Sequence, residues 1–187
     1  MKKKTLALLL ALVLVFGAAV GGTIAYLTDT TGPVTNTFTV GNINIDLAET
    51  ATDFKMVPGC DITKDPKVTV VANSEACWLF VRIDESTNLD DFISYTVASG
   101  WTQGDGTNIP SNVWYRSVTA SATDQTFSVL TGDKVAVKDT VTKTMMDALT
   151  EGTRPTLTFT ACAVQADGFD TAAAAYAQAP ASFKPTT

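Results

Sequence analysis

The chain has 187 residues, with 13 Lys and Arg residues, 19 Asp and Glu residues and no His, so its net charge is −6 at pH 7. This length suffices for one domain with its own hydrophobic core, and the acidic balance argues against nucleic acid and anionic membrane surfaces as partners. The lack of His excludes Ser–His and Cys–His catalytic pairs and every zinc site with a His ligand. No nucleotide-binding or hydrolase motif is present, so we expect neither an enzyme nor a cofactor. A secreted hydrolase that uses a Lys or a carboxylate as its base is an alternative.

The first residues have the layout of a secretory signal peptide. Met1–Lys4 is basic, residues 5–20 are apolar, and small residues follow. A retained membrane anchor is the alternative, since the apolar run is just long enough to span a bilayer. Cleavage after Ala25 places small side chains, Thr23 and Ala25, at the two positions that signal peptidases recognise, and makes Tyr26 the new N-terminus.

This cleavage defines the expected organisation of the chain. Residues 1–25 form the signal peptide, and residues 26–187 form one domain whose first part, 26–37, is a flexible or strand-donating segment. Cleavage removes three basic and no acidic residues, which leaves a net charge of about −9. We therefore expect a secreted protein that contacts the membrane only through its signal peptide before cleavage.

The remainder reads as a series of short strands. Phe38 and Val40 and, after a break at residues 41–42, Ile43, Ile45 and Leu47 alternate with polar residues, which is typical of a half-buried strand. Apolar residues on both faces of 76–84 indicate a central strand. Further strands are predicted at 66–72, 92–97, 112–118, 126–130, 134–139 and 156–164. Their polar, Gly-rich links predict an all-β, antiparallel sandwich.

Two short helices are also predicted. Val141, Met145 and Leu149 lie four residues apart, which indicates one helical stripe within 141–149. A second helix covers the Ala run 172–175, with Asp170 as its N-cap.

The three cysteines, Cys60, Cys77 and Cys162, leave the disulfide state open. Their spacing matches no metal site. Cys77 and Cys162 lie in predicted strands, where a cysteine is often a small buried hydrophobe.

An acidic cluster follows the central strand. Asp84, Glu85, Asp90 and Asp91 could hold Ca²⁺ through carboxylate oxygens, but their spacing differs from that of an EF-hand loop. A solvated loop is the favoured interpretation.

The tryptophans raise the alternative of a glycan- or ligand-binding module. Trp78 and Trp114 lie within predicted strands, which favours core packing. Trp101 lies in a Gly-rich loop, where an exposed ring could contact a ligand.

Two segments give the chain a family resemblance. The first, "GGTIAYLTD" followed by "TNTFTVGNINIDL", and the second, "VPG" followed by "ITKDPKVTVVANSEACWLFVRI", resemble the TasA/camelysin (CalY)-like proteins of Gram-positive bacteria. That family carries SipW-type signal peptides and includes the BsaA-type biofilm matrix proteins. The two segments cover roughly a third of the chain, and its C-terminal part is similar to short clostridial members.

The resemblance implies a jelly-roll-like β-sandwich, cleavage after Ala25 by a SipW-type signal peptidase, and a structural role in the biofilm matrix. Its partners would be further copies of itself or a major matrix fibre protein. The segment from Tyr26 to Phe38 would then add as a donor strand to another subunit, with Tyr26, Leu27, Val34 and Phe38 as anchors. The metalloprotease activity ascribed to camelysins is not carried over, since the chain has no His.

Overall fold

The computed structural model describes residues 42–51 and 54–185. This part of the chain contains ten strands and three short α-helices. These residues belong to one compact unit, Val40–Thr187. The strands are β1 Ile45–Ala48, β2 Asp61–Thr63, β3 Lys67–Val70, β4 Cys77–Glu85, β5 Ile93–Ser94, β6 Thr102–Gln103, β7 Val113–Val118, β8 Gln125–Ser128, β9 Lys134–Val137 and β10 Leu157–Gln165. The helices are α1 Leu89–Phe92, α2 Lys143–Asp147 and α3 Ala172–Ala177.

The strands form three antiparallel sheets, which confirms the all-β prediction. Sheet 1 has the order β1-β3-β8, sheet 2 has the order β10-β4-β7-β6, and sheet 3 has the order β2-β9-β5. Sheets 1 and 2 share a core and so form a sandwich. The jelly-roll strand order stays a prediction.

Strand β4 is central, as its sequence predicts. Leu79 and Val81 point into the core between sheets 1 and 2, where they meet Val68 and Val70 of β3. Phe80 points to the opposite face of sheet 2 and packs beneath α3. Because both faces of β4 are covered, its apolar residues do not alternate with polar ones.

Sheet 3 closes one end of this arrangement. Val135 and Val137 of β9 pack with residues of α1 and with Val141, and the side chains of α2 and Leu149 lie against the same cluster. The predicted helix at 141–149 is therefore present in shortened form, as Lys143–Asp147. None of the helices in the described ranges has the length and apolar character that a bilayer crossing requires.

Three details differ from the sequence prediction. Residues 92–97 were expected to form a strand, but the chain is helical at Leu89–Phe92 and extended only at Ile93–Ser94. The very short strands β2 and β6 were not predicted. Helix α3 is capped by Thr171, whose hydroxyl accepts a hydrogen bond from the Ala174 N–H, rather than by Asp170.

Candidate assembly surface

The predicted processing and donor-strand residues lie outside the described residues. These are Thr23 and Ala25 before the cleavage point, and Tyr26, Leu27, Val34 and Phe38 after it. The predicted strand 38–47 lies partly outside as well, and its described part contains the start of β1.

Trp101 is buried, so the expectation of an exposed ligand-binding ring is wrong. Only 8% of its surface is accessible, and its indole N–H donates a hydrogen bond of 3.0 Å to the Ser128 carbonyl. The ring packs into the core between sheets 1 and 2. Flanking glycines suggested an exposed loop, but a large aromatic ring with a hydrogen-bonded polar edge is more stable inside.

Arg116 covers this region of the core with its guanidinium group. The guanidinium carbon lies 3.8 Å from the ring centre of Phe127 and 5.5 Å from that of Trp101, in cation–π geometry. Partial burial lowers the pKa of Arg116. The period of two along β7, which places Arg116 on the same face as Trp114 and Val118, could have revealed this inward position.

The other two tryptophans also serve packing. The Trp78 indole N–H donates to the Phe169 carbonyl at 3.2 Å, and its ring meets Tyr115 edge-on. Trp114 packs against the core between sheets 1 and 2. Packing therefore accounts for Trp78, whereas Trp114 also lines a small open pocket with Tyr95 and Gln103.

The acidic cluster after β4 is divided among separate partners. Asp84 accepts hydrogen bonds from Arg82 at 2.7 Å and from Asn112 at 3.1 Å. Glu85 accepts one from the Tyr95 hydroxyl, and burial together with this carboxylate raises the pKa of Tyr95. Within the described ranges, no three potential ligands among His, Cys, Asp and Glu come together as a metal site.

The three cysteines are free thiols. Cys77 faces the core between sheets 1 and 2, whereas Cys162 faces α3 on the other side of sheet 2. Burial raises the pKa of Cys77 to about 11 and that of Cys162 to about 12. Only Cys60, in the turn before β2, is exposed. The two strand cysteines are thus packing residues, as predicted.

The described residues form an open groove of about 1160 Å³ with a mixed polar and apolar lining. It lies between β1, β10, sheet 3 and the segment after α2. Its apolar lining includes Phe54, Met56, Ile62, Leu149, Leu157 and Phe159.

Lys64 lies in the wall of this groove with only 9% of its side chain exposed. Its ammonium group is 2.7 Å from the Glu49 carboxylate, and 5.0 and 5.3 Å from the ring centres of Phe54 and Phe159. This salt bridge connects Glu49, which follows β1, with Lys64, which follows β2. Sequence reasoning missed it, although Lys64 lies two residues from Ile62, on the same face of an extended segment.

Two sheet edges, one of four residues and one of nine, adjoin this region. No described strand pairs with the outer side of β1 in sheet 1 or with the outer side of β10 in sheet 2. Unpaired backbone N–H and C=O groups on such edges are ready to pair with another strand.

No family model matches the chain, and no curated protein or solved structure is significantly similar to it. The resemblance carried by the sequence motifs therefore stays a prediction.

Proposed function

We propose that this protein is a secreted structural component of the extracellular matrix or cell surface, which self-associates or joins fibres of a major matrix protein. The signal-peptide layout and the two family-like segments support export and a matrix role. The observation that carries the proposal is the open groove, with its large aromatic and aliphatic side chains, beside the edge of β1 with which no described strand pairs. No catalytic role is assigned.

Strand addition is the mode of association that suits this groove. Asn44 accepts a hydrogen bond from the Val71 N–H through its carbonyl, so alternate residues from Asn44 turn their backbone groups toward β3. Ile45 and Leu47 consequently turn theirs outward. An added strand would pair with these groups while its alternate side chains enter the groove.

The segment Tyr26–Phe38 is the proposed donor. Its apolar residues Tyr26, Leu27, Val34 and Phe38 are available as anchors, and the segment carries one charge, on Asp29. While the signal peptide is attached, the start of this segment is held at the membrane. Cleavage after Ala25 would release it, so processing and assembly would be linked.

The test compares two fusions of one carrier domain to the chain that starts at Tyr26. One fusion blocks the N-terminus, and the matched control carries the same domain at the C-terminus. After concentration, negative-stain electron microscopy should show filaments or clusters for the unfused chain and the C-terminal fusion only. Filaments from a variant lacking Tyr26–Val34 would contradict the donor-strand mechanism. Monodisperse particles throughout, also after mixing with matrix fibres, would contradict the function itself.

A further inference from the structure

The outer edge of β10 differs from every other sheet edge in the described residues. Strand β10 pairs with β4 over all nine residues, from Leu157 opposite Glu85 to Gln165 opposite Cys77, without a bulge. The remaining edge strands, β1, β2, β5, β6 and β8, have two to four residues. A long regular edge is the kind that proteins usually protect against pairing with another chain.

The sequence of β10 contains none of the usual protection. "LTFTACAVQ" has no charged residue, no Pro and no Gly. On the inner face, Leu157, Phe159, Ala161 and Ala163 pack against the core but remain partly exposed. A strand laid beside β10 would cover these apolar side chains as well as the backbone groups with which no described strand pairs.

The direction of each backbone group can be read from the hydrogen bonds at the two ends of β10. The Thr156 carbonyl accepts from the Ser86 N–H, and the Ala166 N–H donates to the Ala76 carbonyl. Even-numbered residues of β10 therefore turn their N–H and C=O groups toward β4. Odd-numbered residues turn theirs outward, since these directions alternate along a strand.

We propose that two copies of this chain pair through their β10 edges, antiparallel, around a two-fold axis at Ala161. The N–H and C=O of Ala161 point outward, so they can exchange hydrogen bonds with Ala161 of the second copy. The two four-stranded sheets would join into one continuous sheet. Such a contact is self-complementary, as a two-fold interface must be.

In this register the largest side chain of β10 lies opposite a small one. Phe159 of one copy lies opposite Ala163 of the other, and Thr160 lies opposite Cys162. At the centre of the interface Phe159 thus meets a small side chain, and toward the ends Thr158 lies opposite Val164 and Leu157 opposite Gln165. Cross-strand pairs of this kind are the main source of side-chain stabilisation in a sheet.

Charged residues near the two ends of β10 indicate that its partner is a second copy of this chain. Arg154 lies just before β10 and Asp167 just after it, both are exposed, and neither forms a salt bridge within the described part of the chain. The two-fold register brings Arg154 of each copy beside Asp167 of the other. Two ion pairs would form, in a protein whose net charge would otherwise keep copies apart.

The decisive variants are two proline substitutions on neighbouring residues. Ala161→Pro removes an outward N–H and should leave the pairing with β4 intact, because proline is tolerated on an edge with its nitrogen facing solvent. Thr160→Pro removes an N–H directed to β4 and should destabilise the fold itself. In sedimentation experiments on the chain from Tyr26, wild type should dimerise reversibly and Ala161→Pro should be a folded monomer by circular dichroism.

Charge reversal provides a second test that does not depend on proline. Arg154→Asp or Asp167→Arg alone should weaken dimerisation roughly tenfold, since two ion pairs are replaced by repulsion. The combined variant should restore it. A monomeric wild type, or a dimer that persists in Ala161→Pro and in both single reversals, would overturn the pairing.

The proposed dimer pairs through the backbone of β10, whereas the donor segment would pair with β1, although Leu157 and Phe159 of β10 also line the groove beside β1. A variant lacking Tyr26–Val34 should still dimerise through β10, whether or not it forms filaments. If the deletion abolished the dimer, the N-terminal segment would be the occupant and the two-fold pairing would be wrong.

Discussion

The Asp105 carboxylate organises the turn between β6 and β7. It accepts hydrogen bonds from the backbone N–H groups of Thr107, Asn108 and Ile109, at 2.9, 2.7 and 3.0 Å. Gly104 is required beside it, because a Cβ atom there would lie 2.2 Å from the Pro110 carbonyl oxygen. The Gly-rich composition of this segment predicted only a loop. In the structure it is an ordered turn that ends with the buried Ile109.

These hydrogen bonds predict a pH-dependent role for Asp105. They hold its pKa well below its usual range, with the bond from the Ile109 N–H as the largest cause. A carboxylate whose pKa is lower in the folded state stabilises the fold above the unfolded-state value of about 3.9, and this contribution is lost as the pH falls toward the folded-state pKa. Asp105→Ala should therefore lower the melting temperature at pH 7, and the difference from wild type should shrink in acid.

Thermal melts of both proteins from pH 7 to pH 2 measure this effect. Glu75→Ala is the matched control, because Glu75 is exposed and forms no side-chain hydrogen bond among the described residues. A difference between Asp105→Ala and wild type that stays constant down to acid pH would contradict the role of the charged carboxylate.

At the scale of elements, helix α3 depends on a cap that the sequence pattern assigned to the wrong residue. Both Asp170 and Thr171 are good N-cap types, but only the Thr171 hydroxyl reaches the backbone, at the Ala174 N–H. Thr171→Ala should destabilise the protein by about 1 kcal/mol. Asp170→Ala should change the free energy of unfolding little, since Asp170 is exposed. Urea denaturation of both variants makes the comparison, and equal losses would contradict the assignment.

The sequence predicted correctly those strands whose own apolar pattern is long enough to identify them. Strands β4 and β10 have nine residues each; β4 buries side chains on both faces and β10 packs apolar side chains on both faces, so their apolar pattern is strong. Strands β2, β5 and β6 have three residues or fewer and exist through pairing with β9 and β7. Such strands carry almost no local signal.

The same limit applies to the candidate surfaces. The groove is lined by residues that are far apart in sequence, from Leu47 to Phe159. The burial of Trp101 depends on the Ser128 carbonyl and on Arg116, which local composition does not reveal. By contrast, the uncharged character of β10 is visible in the sequence, and only its position at the edge of sheet 2 required the structure.

At the scale of the whole molecule, β4 is shared by two cores. Leu79 belongs to the core between sheets 1 and 2, and Phe80 belongs to the cluster beneath α3, together with Tyr176 and Phe183. Arg82 of the same strand donates to the Phe183 carbonyl, which fixes the residues after α3 to sheet 2. Because one strand connects both cores, we expect them to unfold together.

This arrangement predicts one cooperative unfolding transition that is sensitive to truncation on either face of β4. Leu79→Ala should cost about 2–5 kcal/mol and Phe80→Ala about 3–5 kcal/mol, since both residues are fully buried. Val57→Ala is the control, because Val57 is 52% exposed and should change stability by about 0.5 kcal/mol or less.

Urea titrations followed by far-ultraviolet circular dichroism and by tryptophan fluorescence should give coincident curves for each variant, with an unchanged slope. Circular dichroism follows the loss of secondary structure. Tryptophan fluorescence follows both cores, because Trp101 packs in the core between sheets 1 and 2 and Trp78 packs against the cluster beneath α3. If Phe80→Ala separated the two signals, the α3 cluster would be an independently unfolding layer. The β10 edge, which borders both cores, would then lose its support on one face before the sandwich itself unfolded.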